Sequence, residues 1–169
     1  PNLNKLSNAK GFLKFNKALS PHTHTSPSLL RTLSFTLNKE RELNYYDSIY
    51  SYPEKRTSII SFLKKSNIET TWISNQEKTG TFNFASSIIA EKSDKQYWSI
   101  DNSFLPNQVM AKRPYDHNFF EKTLNDIKYM QGPRAIFLHS YAGHGPYLNS
   151  VPKRFAQKVD DFYDNVKPK

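Results

Sequence analysis

Two short stretches carry the residue types that do chemistry. The first is Ser20-Pro21-His22-Thr23-His24-Thr25-Ser26-Pro27-Ser28-Leu29-Leu30. The second lies far down the chain, at Ala135-Ile136-Phe137-Leu138-His139-Ser140-Tyr141-Ala142-Gly143-His144-Gly145-Pro146-Tyr147. A threonine hydroxyl such as Thr25 is a poor nucleophile until a base or a metal activates it. At the start of a helix it has backbone N–H groups and a positive dipole end beside it, which suit a phosphate. It serves equally well as a plain helix cap. His22 and His24 are two apart, so on extended backbone they share one side; they can meet a metal or a phosphate, but two histidines do not specify a site. His144 stands between Gly143 and Gly145, where backbone can approach a ligand closely. A histidine there can donate to a phosphoryl oxygen, protonate a leaving group or ligate a metal, or simply occupy a turn. His139, inside an apolar run, reads as a hydrogen-bonded core histidine. A third polar stretch, Asn75, Gln76 and Lys78, can hydrogen-bond an anionic ligand. Asp101–Asn102 and Asp116–His117 are isolated pairs with no pattern around them.

The elements that must position these residues follow from periodicity and punctuation. A short strand is expected over 15–20. A helix follows, with Thr25 or Ser26 as its N-cap, Pro27 in its first turn, and Leu29, Leu30 and Leu33 on its apolar side. Residues 37–53 read as an aromatic loop around Tyr45, Tyr46, Tyr50 and Tyr52. Ser58 to Lys65 reads as a helix stopped at Asn67, and Ile68 to Ile73 as a strand. Ser74 to Gly80 reads as the loop after it. A helix over 84–91, a strand over 96–100 and a strong helix over 118–130 come next. Gly132-Pro133 marks a turn into a buried-type strand, Arg134 to Ser140. The tail, 154–166, has the spacing of an amphipathic helix. This order implies an α/β fold with a mostly parallel sheet flanked by helices. In such sheets ligands bind beyond the carboxyl ends of the strands, where all three polar stretches are expected to lie.

The 169 residues suffice for one domain with a real core. There is no cysteine, which excludes thiol catalysis, disulfides and cysteine-based zinc sites. No apolar run approaches the roughly 18 residues of a membrane span. The formal net charge is +9, which favours anionic partners, although the basic residues are scattered as on any solvated surface. No phosphate-binding glycine loop, dinucleotide fingerprint or nucleophile elbow occurs.

In order and spacing, Ser20-Pro21-His22-Thr23-His24-Thr25, then Thr71-Trp72-Ile73-Ser74-Asn75-Gln76, then Phe137-Leu138-His139-Ser140-Tyr141-Ala142-Gly143-His144-Gly145-Pro146-Tyr147, resemble the catalytic domain of bacterial phosphoethanolamine transferases, within the sulfatase and alkaline phosphatase superfamily. The resemblance covers nearly the whole chain and implies an alkaline-phosphatase/sulfatase-like fold. It implies that Thr25 is the nucleophile and a zinc ligand, and that His144 contacts the transferred phosphoryl group. By the same resemblance Asn75, Lys78 and His24 fall at or near the substrate site. The implied reaction moves phosphoethanolamine from phosphatidylethanolamine to lipid A, lipopolysaccharide core or another surface acceptor. The implied location is the periplasmic face of the bacterial inner membrane, with nucleic acid not expected as a partner.

Departures from the family pattern are as informative. Pro21 and Arg31 stand near positions that carry a disulfide in some members. A glutamate ligand is expected ahead of Pro1, and an Asp-His pair and a further histidine beyond Lys169. Residues 1–169 are thus expected to be the N-terminal part of a catalytic domain, incomplete as a zinc site, inactive alone, and exposing sheet edge and apolar surface. Rival readings are a sulfatase-like hydrolase or glycerol-phosphate transferase of the same superfamily, and a non-catalytic module that binds anionic polymers.

Overall fold

The computed structural model describes residues 17–21, 23–35, 57–80, 84–102, 104, 113–129, 131–142, 144 and 152. Their elements run α1 (Thr25–Leu33), β1 (Ser34–Phe35), β2 (Thr57–Ser58), α2 (Ile59–Lys65), β3 (Glu69–Thr79), α3 (Phe84–Ala90), β4 (Lys95–Asn102), α4 (Asp116–Ile127) and β5 (Arg134–His139). The expected aromatic loop and tail helix fall outside the described residues.

Local chemistry explains the boundaries. Ser58 caps α2 by accepting the Ser61 N–H at 3.1 Å. The same helix ends in a Schellman motif, in which Ile68 N–H bonds Leu63 O and Asn67 N–H bonds Lys64 O, each at 3.0 Å. Asn67 takes the left-handed conformation this demands, with φ 56°. It is the stop expected from sequence.

The main sheet has three parallel strands in the order β4-β3-β5; β1 and β2 form a separate antiparallel pair. Trp72 marks one face of β3. Around it gather Leu30 of α1, Ile60 of α2, and Ala85, Ile89 and Ala90 of α3, all buried. Trp98 and Phe137 extend the cluster across the neighbouring strands, with ring centroids 6.5 and 6.0 Å from Trp72. The other face meets α4, whose Thr123 and Ile127 are buried. The chain therefore leaves β3 for β4 by a helix on one face, and reaches β5, on the far side of β3, by a helix on the other. Among the described strands this puts the topological switch point between β3 and β5.

The α/β class with a parallel, helix-flanked sheet is as expected, but four details differ. β3 continues through Thr79, so Ser74 to Lys78 belong to a strand and not to the loop after it; their polarity hid a strand whose polar side chains bond across the fold. His24 occupies the N-cap position of α1, with no side-chain cap bond, and Thr25 is the first helical residue. Residues 17–20 are irregular, without the expected strand. β5 is not buried on both faces: it is a sheet edge among the described strands, and Ile136 and Leu138 are 37% and 52% exposed.

Leu30 is fully buried and joins α1 to the sheet. Leu30→Ala should lower stability by about 2–5 kcal/mol, read from urea denaturation. A loss well under this would mean that α1 does not share the core of the sheet.

Candidate active site

The second half of β3 carries three consecutive buried polar side chains, Ser74, Asn75 and Gln76. Ser74 and Gln76 face His139 of the neighbouring strand, in keeping with the register Ser74↔His139. Gln76 Nε2 lies 2.8 Å from Ser140 O, 3.1 Å from His139 Nε2 and 3.4 Å from His144 Nε2. Ser140 O can only accept, which fixes the orientation of the amide. One amide proton goes to it, and the second goes to the imidazole nitrogens, with His139 the nearer. His139 therefore accepts at Nε2 and carries its proton on Nδ1, 3.1 Å from Ser74 Oγ. That hydroxyl also accepts the Gln76 N–H at 3.1 Å. Burial pushes His139 down from 6.5 to about 4, with the neighbouring His144 as the second cause. At neutral pH it is an uncharged, hydrogen-bonded member of the site.

On the opposite side, Asn75 donates Nδ2–H to Pro114 O at 2.8 Å and to Asp116 Oδ1 at 2.6 Å. Both amide protons are thus committed. Asn75 Oδ1 is buried with no partner among the described residues. Asp116, in the first turn of α4, also accepts the Tyr141 N–H at Oδ1 (3.0 Å) and the Ala142 N–H at Oδ2 (2.8 Å). Arg113 pairs with Glu77 at 2.7 Å in a partly buried ion pair. Its guanidinium carbon lies 3.7 Å from the centroid of the Tyr141 ring. The same ring stacks on the His144 imidazole, with centroids 5.2 Å apart and planes 10° from parallel.

The residues at α1 form a second station. Thr25 and His24 are exposed, and His24 Nδ1 lies 3.2 Å from Thr23 Oγ1. The turn before the helix is tied to it twice: Arg31 Nη1 donates to Pro21 O at 3.2 Å, and the Ser20 and Ser28 hydroxyls lie 2.7 Å apart. A hydrogen bond thus joins the two positions noted for lacking a disulfide. Lys78 is exposed near the end of β3, and its carbonyl accepts from Ser87 Oγ. The structure therefore gathers Asn75 and His144 into one bonded network, leaves Thr25 and His24 exposed at the start of α1, and leaves Lys78 apart from the network. Sequence reasoning passed over Asp116, Arg113 and Tyr141, and placed no weight on Glu77. The available signal was an acidic residue opening the strongest helix, directly after Tyr115. Among the described residues no three His, Asp or Glu side chains converge as metal ligands, so Thr25 alone does not make a zinc site.

The profile of the sulfatase family matches residues 1–168. The chain belongs to the sulfatase family. Over 156 residues it is 29% identical to a Haemophilus influenzae protein described as "Putative phosphoethanolamine transferase", which is 90% of this chain and 29% of that protein. Two crystal structures of the C-terminal periplasmic domain of EcEptC from Escherichia coli share the fold. The zinc complex superposes with a TM-score of 0.60 at 21% identity, over 83% of this chain and 35% of that one. The other gives 0.52 at 23% identity, over 69% and 30%. The chain thus spans about a third of its relatives' length. No helix among the described residues is long and apolar enough to cross a membrane.

In the folded chain His139 binds its proton only near pH 4, whereas unfolded it titrates near 6.5. Its contribution to stability is present above 6.5 and is lost as pH falls towards 4. The urea midpoint should fall across that window, and fall less in His139→Gln. Asp94, held down to about 2 by Lys64 and Thr70, contributes its own loss only below its ordinary 3.8, so the two windows separate. A midpoint that stays flat between 6.5 and 4 would show that His139 is not held neutral.

Proposed function

We propose that this chain is the N-terminal part of the catalytic domain of a phosphoethanolamine transferase. In this reading the parent protein is anchored in the bacterial inner membrane, with the domain in the periplasm. The observation that carries it is the network at the carboxyl ends of β3 and β5, which presents the exposed His144 at the switch point where parallel α/β sheets bind ligands. The sulfatase-family membership and the Haemophilus influenzae relative described as a "Putative phosphoethanolamine transferase" support the same reading.

In this proposal Thr25 Oγ gives up its proton to solvent and forms a bond to phosphorus as the bond to the glycerol oxygen of phosphatidylethanolamine breaks. The departing oxygen leaves as diacylglycerol, taking up a proton from His144. A hydroxyl of lipid A, lipopolysaccharide core or another surface glycan then passes its proton to His144, displaces Thr25, which regains a proton from solvent, and takes the phosphoethanolamine. Bound zinc would supply the Lewis acidity that makes a threonine hydroxyl competent at neutral pH. In this reading Thr25 would be one of the donors that hold the zinc. Asn75 is buried, with both amide protons committed to Pro114 and Asp116, so in this reading it serves the substrate site through Asp116 and the loop that Asp116 holds. Lys78 and His24 are peripheral contacts to the anionic donor.

The test is peptide-mapped mass spectrometry of the full-length protein after incubation with phosphatidylethanolamine and zinc. A phosphoethanolamine-sized mass increase on the peptide containing Thr25, abolished in Thr25→Ala without loss of fold, is expected. No increase with zinc bound would favour another branch of the family, hydrolytic or glycerol-phosphate-transferring. No increase and no zinc would favour a non-catalytic module that binds anionic polymers.

A further inference from the structure

The loop that leaves β5 is held atom by atom. Ser140 O is fixed by Gln76 of β3 at 2.8 Å. The next two amides, Tyr141 and Ala142, both end on the carboxylate of Asp116, at 3.0 and 2.8 Å. His144 N–H then bonds back to Tyr141 O at 3.1 Å. N–H bonds to an ionised carboxylate are about twice as strong as neutral ones, and here one carboxylate takes two successive ones. The Tyr141 ring itself has two partners. Arg113 lies over it at 3.7 Å and is paired with Glu77, and His144 stacks on it at 5.2 Å, nearly parallel.

An exposed histidine on a glycine-flanked loop would otherwise sample several rotamers, and ordering it costs free energy at each encounter with a ligand. We infer that Asp116 and Tyr141 are positioning residues for His144. Asp116 pins the backbone that leads to His144, and the Arg113-backed Tyr141 ring sets the plane of its imidazole. A helix-opening carboxylate that served only α4 would need neither of the two loop amides nor Asn75. The consequence for catalysis rests on the proposed role of His144; the positioning itself does not.

Two readouts separate these claims. In the 169-residue chain with isotope-labelled histidine and backbone nitrogen, Tyr141→Leu should remove the ring-current shift of the His144 ring protons, and Tyr141→Phe should restore it. Asp116→Asn should speed exchange of the Tyr141 and Ala142 amides by roughly tenfold or more, while amides of the β3 core keep their protection. In the full-length protein, Tyr141→Leu should lower kcat for phosphoethanolamine transfer by roughly tenfold to a hundredfold with little change in KM, rescued by Tyr141→Phe. Unchanged His144 resonances and unchanged amide exchange would overturn the inference whatever the rates do. Altered resonances with unaltered transfer would uphold the positioning and remove His144 from the proposed reaction.

Discussion

A strand buried on both faces carries polar side chains at low cost only where they find partners, because an unpaired buried polar group costs about 1–3 kcal/mol. β3 is such a strand. Seven consecutive residues from Thr70 to Gln76 are buried, and only Trp72 and Ile73 among them are apolar. The constraint dictates what surrounds it. Thr70 is satisfied by a reciprocal pair with Asp94, whose Oδ2 accepts both its hydroxyl and its amide. Ser74 and Gln76 bind His139, and Asn75 binds Pro114 and Asp116. The apolar half of β3 builds the core around Trp72, and the polar half builds the candidate site. One strand does both, so the site is only as rigid as the core it continues.

The winding of the chain sets where the polar half can act. Successive crossovers pass over opposite faces of β3, leaving a gap between β3 and β5 at their carboxyl ends. Gln76 and His139 line the two strands beside that gap, and His144 follows β5 by five residues. α1 reaches the same sheet through Leu30, while its first turn keeps Thr25 in solvent. The two stations of the proposed reaction are thus carried by different elements joined through one core. Their relation depends on helix-to-sheet packing more than on any local motif.

Much of this was legible in the sequence, and the exceptions share a cause. Helices with regular apolar spacing, such as α4, and punctuation such as Asn67 acted locally and could be read. β3 could be read only to Ile73, since Ser74-Asn75-Gln76-Glu77-Lys78 has the composition of a loop. Nothing nearby says that the partners of its side chains outside the strand lie 36 to 68 residues away. Asp116 looked like an isolated acid for the same reason: its donors come from β3 and from beyond β5. β5 looked fully buried because Ala135-Ile136-Phe137-Leu138 is uniformly apolar, and apolarity does not say whether a neighbour covers both faces. Local physics writes itself into local sequence; pairing across the fold does not.

The ladder between β3 and β4 breaks step between Ser74 and Glu77, where three residues of β3 span two of β4, from Trp98 to Ile100. Such a bulge is a matter of count and not of residue type. Side chains on a strand alternate faces, so adding or removing one residue there would exchange the surroundings of Asn75 and Gln76. Asn75 would be turned towards His139, and Gln76 towards Asp116. Over evolutionary time this segment can therefore drift in composition wherever an equivalent hydrogen bond survives, but it resists any change in length. Insertions and deletions that surface loops absorb freely would here disconnect both sides of the site at a single stroke.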